Sequence, residues 1–270
     1  MRGVLLKILR ETWPLTLLFA LGLFVAELVL NVVFPQILRQ LGDLLERLPF
    51  VRDFVGALLG VSIEGELTAQ LMQAFVWVHP TVLALLCAYV MLHCTRFPVA
   101  EIDRGTVDIL LGLPVSRRAI FLCETAGWLA GGVVLLGAAA AGYVIGSRAL
   151  AAASRPPFGY VLLVLLNLFC VYLAVGGVCY LLSSFSERRG RAISAAFGVV
   201  LASFLLTFVA QFWAPAAPFA FLSVLDYYRP ANILKGGTVD LRDLAVLLAV
   251  GLGGWLGGLE ISARRNISTT

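Results

Sequence analysis

The sequence predicts an all-α integral membrane protein with six transmembrane helices, and three observations carry that prediction. Apolar residues make up 60% of the chain and charged residues only 13%, with a mean hydropathy of +0.95. A soluble domain is nearer half apolar, and so little charge cannot cover a water-soluble body of 29.1 kDa. The apolar residues also gather into six stretches of about 20 residues, the length of helix that crosses a bilayer core of about 30 Å. These stretches are 15–34, 75–94, 119–145, 160–182, 192–213 and 241–261. Residues 1–270 read as a single membrane domain, with little room for a soluble enzyme domain.

Before the first span, Lys7, Arg10 and Glu11 are set among Val4, Leu5, Leu6, Ile8 and Leu9. That pattern predicts an interfacial elbow helix, with Pro14 permitting a bend into the membrane. The apolar run that follows is too long for a cleavable signal peptide. In the connection 35–74, Ile37, Leu38, Leu41, Leu44, Leu45 and Leu48 recur at helical spacing, and Phe54, Val55, Leu58 and Leu59 continue after Pro49. Two short amphipathic helices are expected there. The segment 214–238 carries Pro215, Pro218 and Pro230 and is too broken for a plain span.

Between the second and third spans lies a charged island, 96–118, bounded by Pro98 and Pro114. Proline suits the first turn of a helix and disfavours helix in the residue before it. The pair therefore brackets an amphipathic helix over 98–114. Val99, Ile102, Ile109, Leu110 and Leu113 supply its apolar contacts, while Glu101, Asp103, Arg104 and Asp108 stay solvated. Such an element between two spans reads as a docking surface at the membrane face.

Orientation follows from the Lys and Arg residues in the connections. Twelve of the 20 fall on the side that holds both termini and the island, tight against the span ends. Both termini and the island are expected in the cytoplasm. No basic, aromatic-interleaved surface points to nucleic acid. No G-x-x-x-x-G-K-[ST] loop occurs, so the chain has no phosphate cradle of that kind. Neither G-x-S-x-G nor H-E-x-x-H is present, and only His79 and His93 are available as imidazole bases. An intramembrane enzyme is thus poorly supplied, and a secondary carrier would show inverted repeats that are not evident.

The wording of the island adds to this. Glu101-Ile-Asp-Arg-Gly105-Thr106-Val-Asp-Ile-Leu-Leu-Gly-Leu-Pro114-Val-Ser116-Arg117 resembles the E-x-x-x-G-T-x-x-x-L-L-x-x-P-x-S-R signature of type-2 ABC transporter permeases. Tyr227-Tyr228-Arg229-Pro230-Ala231 before the last span, and Ser262-Ala-Arg264-Arg265-Asn-Ile-Ser after it, match the usual close of such chains. The resemblance implies the membrane subunit of an ATP-driven exporter in the plasma (inner) membrane. It would form its path as a dimer with a second permease chain, identical or sister, in membrane lipid. A separate ATPase subunit would carry ATP and Mg, and this chain would bind no cofactor. The island would be the coupling helix, with Glu101, Asp103, Gly105, Thr106, Leu110, Pro114 and Arg117 meeting that subunit. Glu124 departs from the pattern, because the family often has a basic residue there.

Polar groups inside lipid are costly and invite function. Glu27 and Asn31 share a face of the first span and either line a path or sit hydrated near the interface. Asn167 in the fourth span reads as path lining or as an interhelical hydrogen-bond partner. Cys87, Cys94, Cys123, Cys170 and Cys179 fit helix packing, with a metal site from His93, Cys94 and Cys123 as the alternative. Glycines in the third, fourth and last spans, including the Gly127/Gly131 step, allow close helix contact.

Overall fold

A computed structural model describes residues 2–47, 69–105, 112, 115–150 and 155–265. The described residues form helices and turns, with no strand among them. Six helical stretches are long and apolar enough to cross a membrane: Gly3–Val33, Gln73–Cys94, Arg117–Ala149, Phe158–Phe185, Arg189–Phe212 and Leu241–Arg264. Each coincides with one of the expected spans to within a few residues, except the first, which begins twelve residues earlier.

That difference overturns the elbow. Helix α1 runs unbroken from Arg2 to Arg47, with Pro14 and Pro35 inside it. At 1.5 Å per residue it is about 70 Å long, more than twice a bilayer core. Its buried residues explain the continuity past Pro14. Ile8, Thr12, Thr16, Ala20, Leu23, Glu27 and Asn31 follow one another at three- or four-residue steps, giving a single stripe through the proline. Packing along that stripe outweighs the one hydrogen bond that Pro14 removes. Residues 35–47 continue α1 rather than opening a separate helix, and the helix expected after Pro49 lies outside the described residues.

The second span is two helices, α2 (Ala69–Val78) and α3 (Pro80–Cys94). Pro80 takes the first helical position of α3, and the ring of His79 accepts a hydrogen bond from the Thr81 amide at 3.3 Å. Helix α4 (Arg117–Gly146) starts at Ser116, whose hydroxyl caps the Ala119 amide at 3.2 Å. Helices α5 (Phe158–Phe185) and α6 (Arg189–Phe212) follow. After two 3₁₀ turns come the short α7 (Pro230–Gly236) and the last span, α8 (Leu241–Arg264).

Two parallel helix pairs build the core, and glycines make both possible. A methyl group on Gly127 would press Ile8, one on Gly142 would meet the Phe24 carbonyl, and one on Gly146 the Leu28 backbone. The matched positions rise together, so α1 and α4 run side by side in the same direction. Helices α5 and α8 repeat the arrangement: Gly251 abuts Leu173, Gly254 abuts Gly177, and Gly258 abuts Tyr180. The Ser184 hydroxyl closes that seam on Ser262 Oγ at 2.7 Å and on the Gly258 carbonyl at 2.9 Å. Between the pairs, Trp128 of α4 stacks on Tyr172 of α5, 5.1 Å between centroids, and fills the space over Gly176. Helix α3 crosses antiparallel, laying Tyr89 over Gly131 and its hydroxyl 3.0 Å from Thr16 of α1. Intrachain packing therefore accounts for most of the glycines, although Gly137 and Gly253 face open space.

Candidate functional site

The island starts as a wide helical turn, Arg96–Ala100, broken at Phe97, whose backbone is extended. One further turn, Glu101–Asp103, follows. Gly105 then adopts φ +67°, in the left-handed region where glycine is favoured, and ends the helical run. The continuous helix expected over 98–114 is thus interrupted at Arg104–Gly105. The positive φ at Gly105 is the physical reason. Thr106, Leu110 and Pro114 lie outside the described residues.

The root of the island is buried and the tip is not. Phe97, Val99 and Ala100 are at most 2% exposed, Glu101 and Ile102 are half-buried, and Asp103, Arg104 and Gly105 are exposed. Four helices hold that root. From α1, Glu11 accepts a hydrogen bond from Arg96 Nη2 at 2.6 Å. From α4, the Glu124 carboxylate stands 3.9 Å from Arg96 Nε and 3.8 Å from His93 Nε2. From α5, the Ser183 hydroxyl donates to the Phe97 carbonyl at 3.3 Å. From α6, Arg189 donates to the Leu92 carbonyl at 2.8 Å and to Thr95 Oγ1 at 3.4 Å. Asp103 in return accepts from the Arg189 amide at 3.4 Å, a carboxylate on the first turn of a helix.

Arg117 is engaged elsewhere. Its guanidinium donates to the Arg265 carbonyl at 2.6 Å, tying the start of α4 to the end of α8. Arg265 in turn donates to the Ser184 and Ser186 carbonyls at 3.0 and 2.7 Å, closing the end of α5. Glu260 pairs with Arg264, as the four-residue spacing suggests, and also with Arg118 at 2.9 Å. The closing Ser262-Ala-Arg264-Arg265 motif is therefore a clasp on the island end of the bundle.

At the opposite end, Asn167 is 1% exposed and both ends of its amide are used within the chain. Its Nδ2 donates to the Tyr227 carbonyl at 3.1 Å, and its Oδ1 accepts from the Arg229 amide at 3.2 Å. It acts as a clamp on the Tyr227-Tyr228-Arg229 segment, the hydrogen-bonding role expected of it beside path lining. Tyr228 continues the clamp by donating to the Trp77 carbonyl at 3.2 Å. Glu27 and Asn31 do lie together on α1, facing α4 and fully buried. The Asn31 amide donates to the Glu27 carbonyl at 2.8 Å.

The five cysteines are buried and unpaired. Among the described residues no group of three or more His, Cys, Asp or Glu side chains is placed to hold a metal ion, so His93, Cys94 and Cys123 do not assemble a site. The contacts that sequence reasoning missed are those of Glu11, Arg96 and Arg189, which join helices far apart in the chain. A basic residue beside Thr95, where an apolar span ends, was the only signal for Arg96.

Residues 8–245 match the family model of the ABC-2 family transporter proteins. The match covers most of the chain, and the chain belongs to that family. It is thus the integral membrane component, the permease part, of an ABC transporter. No curated protein and no solved structure matches it.

Proposed function

We propose that this chain is the membrane half of an ATP-driven exporter, working as a dimer with an identical or sister permease. A separate ATPase subunit, carrying the nucleotide and Mg, docks on the island. Both termini and the island face the cytoplasm of a plasma (inner) membrane. The observation that best supports this reading is the contrast within the island: a root gripped by α1, α4, α5 and α6, and an exposed tip at 103–105. A solvated connector has no need of four anchors, whereas a docking element must pass displacement into the bundle.

Co-purification of the permease with its ATPase subunit, together with coupled ATP turnover, tests the proposal. Glu101→Lys inverts a charge at the contact, and Gly105→Trp adds bulk where the chain now leaves open space. Because φ at Gly105 is +67°, Gly105→Asn serves as the backbone control, since asparagine tolerates that region. Loss of a buried interface contact typically costs about 2 kcal/mol, roughly thirtyfold in affinity. Glu101→Lys and Gly105→Trp should lose the ATPase subunit by at least that factor. Gly105→Asn and the far-end variant Lys235→Glu should retain it. Wild-type association by both of the first two variants would make the island a plain connector.

A further inference from the structure

A second polar cluster lies near the far end of the bundle. It brings together α1, α2 and α4. Glu27 and Asn31 are one turn apart on α1 and 0% exposed. The Gly142–Gly146 face of α4 packs against them, which places Tyr143 of the same turn at this junction. Tyr143 meets the Trp77 ring with centroids 5.1 Å apart, and Gln73 stands one turn before Trp77 on α2.

Every one of these side chains keeps polar capacity unmet among the described residues. Both Glu27 carboxylate oxygens, Asn31 Oδ1, Gln73 Oε1, Trp77 Nε1 and the Tyr143 hydroxyl lack a hydrogen-bond partner. Buried polar atoms in folded proteins are nearly always paired, so such a concentration calls for a missing partner. The inventory says what kind. Four of the six atoms are carboxylate or amide oxygens that accept, against one indole N–H and one hydroxyl that donate. No Lys, Arg or His among the described residues forms an ion pair with Glu27. The surplus is of acceptors around one carboxylate, and it calls for a compact group rich in N–H donors and positively charged.

We propose that Glu27, Asn31, Gln73 and Tyr143, beside the Trp77 ring, form a binding site for a primary ammonium group, with Glu27 as its counter-ion. Two sources share this chemistry: a small soluble amine, and the headgroup of an aminophospholipid. Depth is compatible with the second, because Glu27 lies six residues inside the end of the Gly3–Val33 stretch, about 9 Å along the helix. The carboxylate is shielded in this conformation. That the bound group is cargo rests on the exporter reading. Binding itself does not, and it is read without nucleotide or partner subunit.

The test is the melting midpoint of the purified full chain in nanodiscs. In phosphatidylcholine discs, methylammonium chloride should raise the midpoint by about 3 °C or more when saturating, and equal tetramethylammonium or potassium chloride should not. Exchange of the lipid for phosphatidylethanolamine should give the rise without added amine if the headgroup is the source. Glu27→Gln, a neutral isostere, should abolish both responses, and Gln73→Met should reduce them. A response unchanged in Glu27→Gln overturns the site, as does equal stabilisation by potassium, or no shift in either lipid with either amine source.

Discussion

Arg96 occupies a position where a single side chain joins two distant acids. Its guanidinium is 19% exposed and reaches Glu11 on α1 and Glu124 on α4. Glu124 is 8% exposed at its side chain, and among the described residues only Arg96 and His93 stand within ion-pair range of it. Removing one member of a buried pair leaves a charge without a partner, a larger loss than the pair's net contribution. Arg96→Ala should therefore destabilise the chain by about 2–3 kcal/mol, allowing for the partial exposure of Arg96. Glu124→Gln in the same chain should restore part of that loss, giving a non-additive cycle in thermal denaturation. Strictly additive losses would show that the two side chains do not interact. Gly105 is the counterpart at the tip: what constrains it is backbone conformation rather than crowding, a distinction that φ reveals and the sequence pattern does not.

The helices themselves were largely legible from hydropathy, because lipid demands long apolar runs whatever the tertiary structure. Their partners were not. Nothing in a glycine count says that Gly177 meets Gly251 and Gly254, or that Gly127 receives Ile8, since the same small residues would serve another neighbour equally well. Pro14 misled for a related reason: its local preference is real, but the stripe from Ile8 to Asn31 decides the shape. The island helix was likewise inferred from its two prolines, whereas the turn at Gly105 interrupts it. Asn167 could be read as a hydrogen-bond partner from its depth, but its role as a clamp needed the Tyr227–Arg229 segment folded back upon it. The α5–α8 seam gives a clean test at this scale. A methyl on Gly177 would strike the Gly251 backbone, while one on Gly253 would meet nothing within 4 Å. Gly177→Ala should cost about 1–3 kcal/mol by overpacking, and Gly253→Ala should be close to neutral. Equal melting midpoints for the two would contradict the pairing.

For the molecule as a whole, the proposed orientation makes a simple demand on accessibility. All five native cysteines are buried, so replacing them gives a quiet background for single reporters. Arg188 at the island end and Lys235 at the far end are both exposed. In intact cells, Arg188→Cys should resist a membrane-impermeant maleimide and Lys235→Cys should react. The reverse pattern would invert the topology and place the island on the wrong face for an ATPase. The four anchors of the island carry a mechanical consequence that does not depend on which substrate is moved. A load applied at residues 103–105 cannot be absorbed by bending one helix, because Arg96, Phe97, Thr95 and Asp103 deliver it to α1, α4, α5 and α6 at once. Along the glycine seams α1 is held to α4 and α5 to α8, and between the pairs Trp128 stacks on Tyr172, whose hydroxyl donates to the Trp128 carbonyl at 2.6 Å. Under the proposed docking, a push on the tip would therefore reach both pairs together through these four anchors.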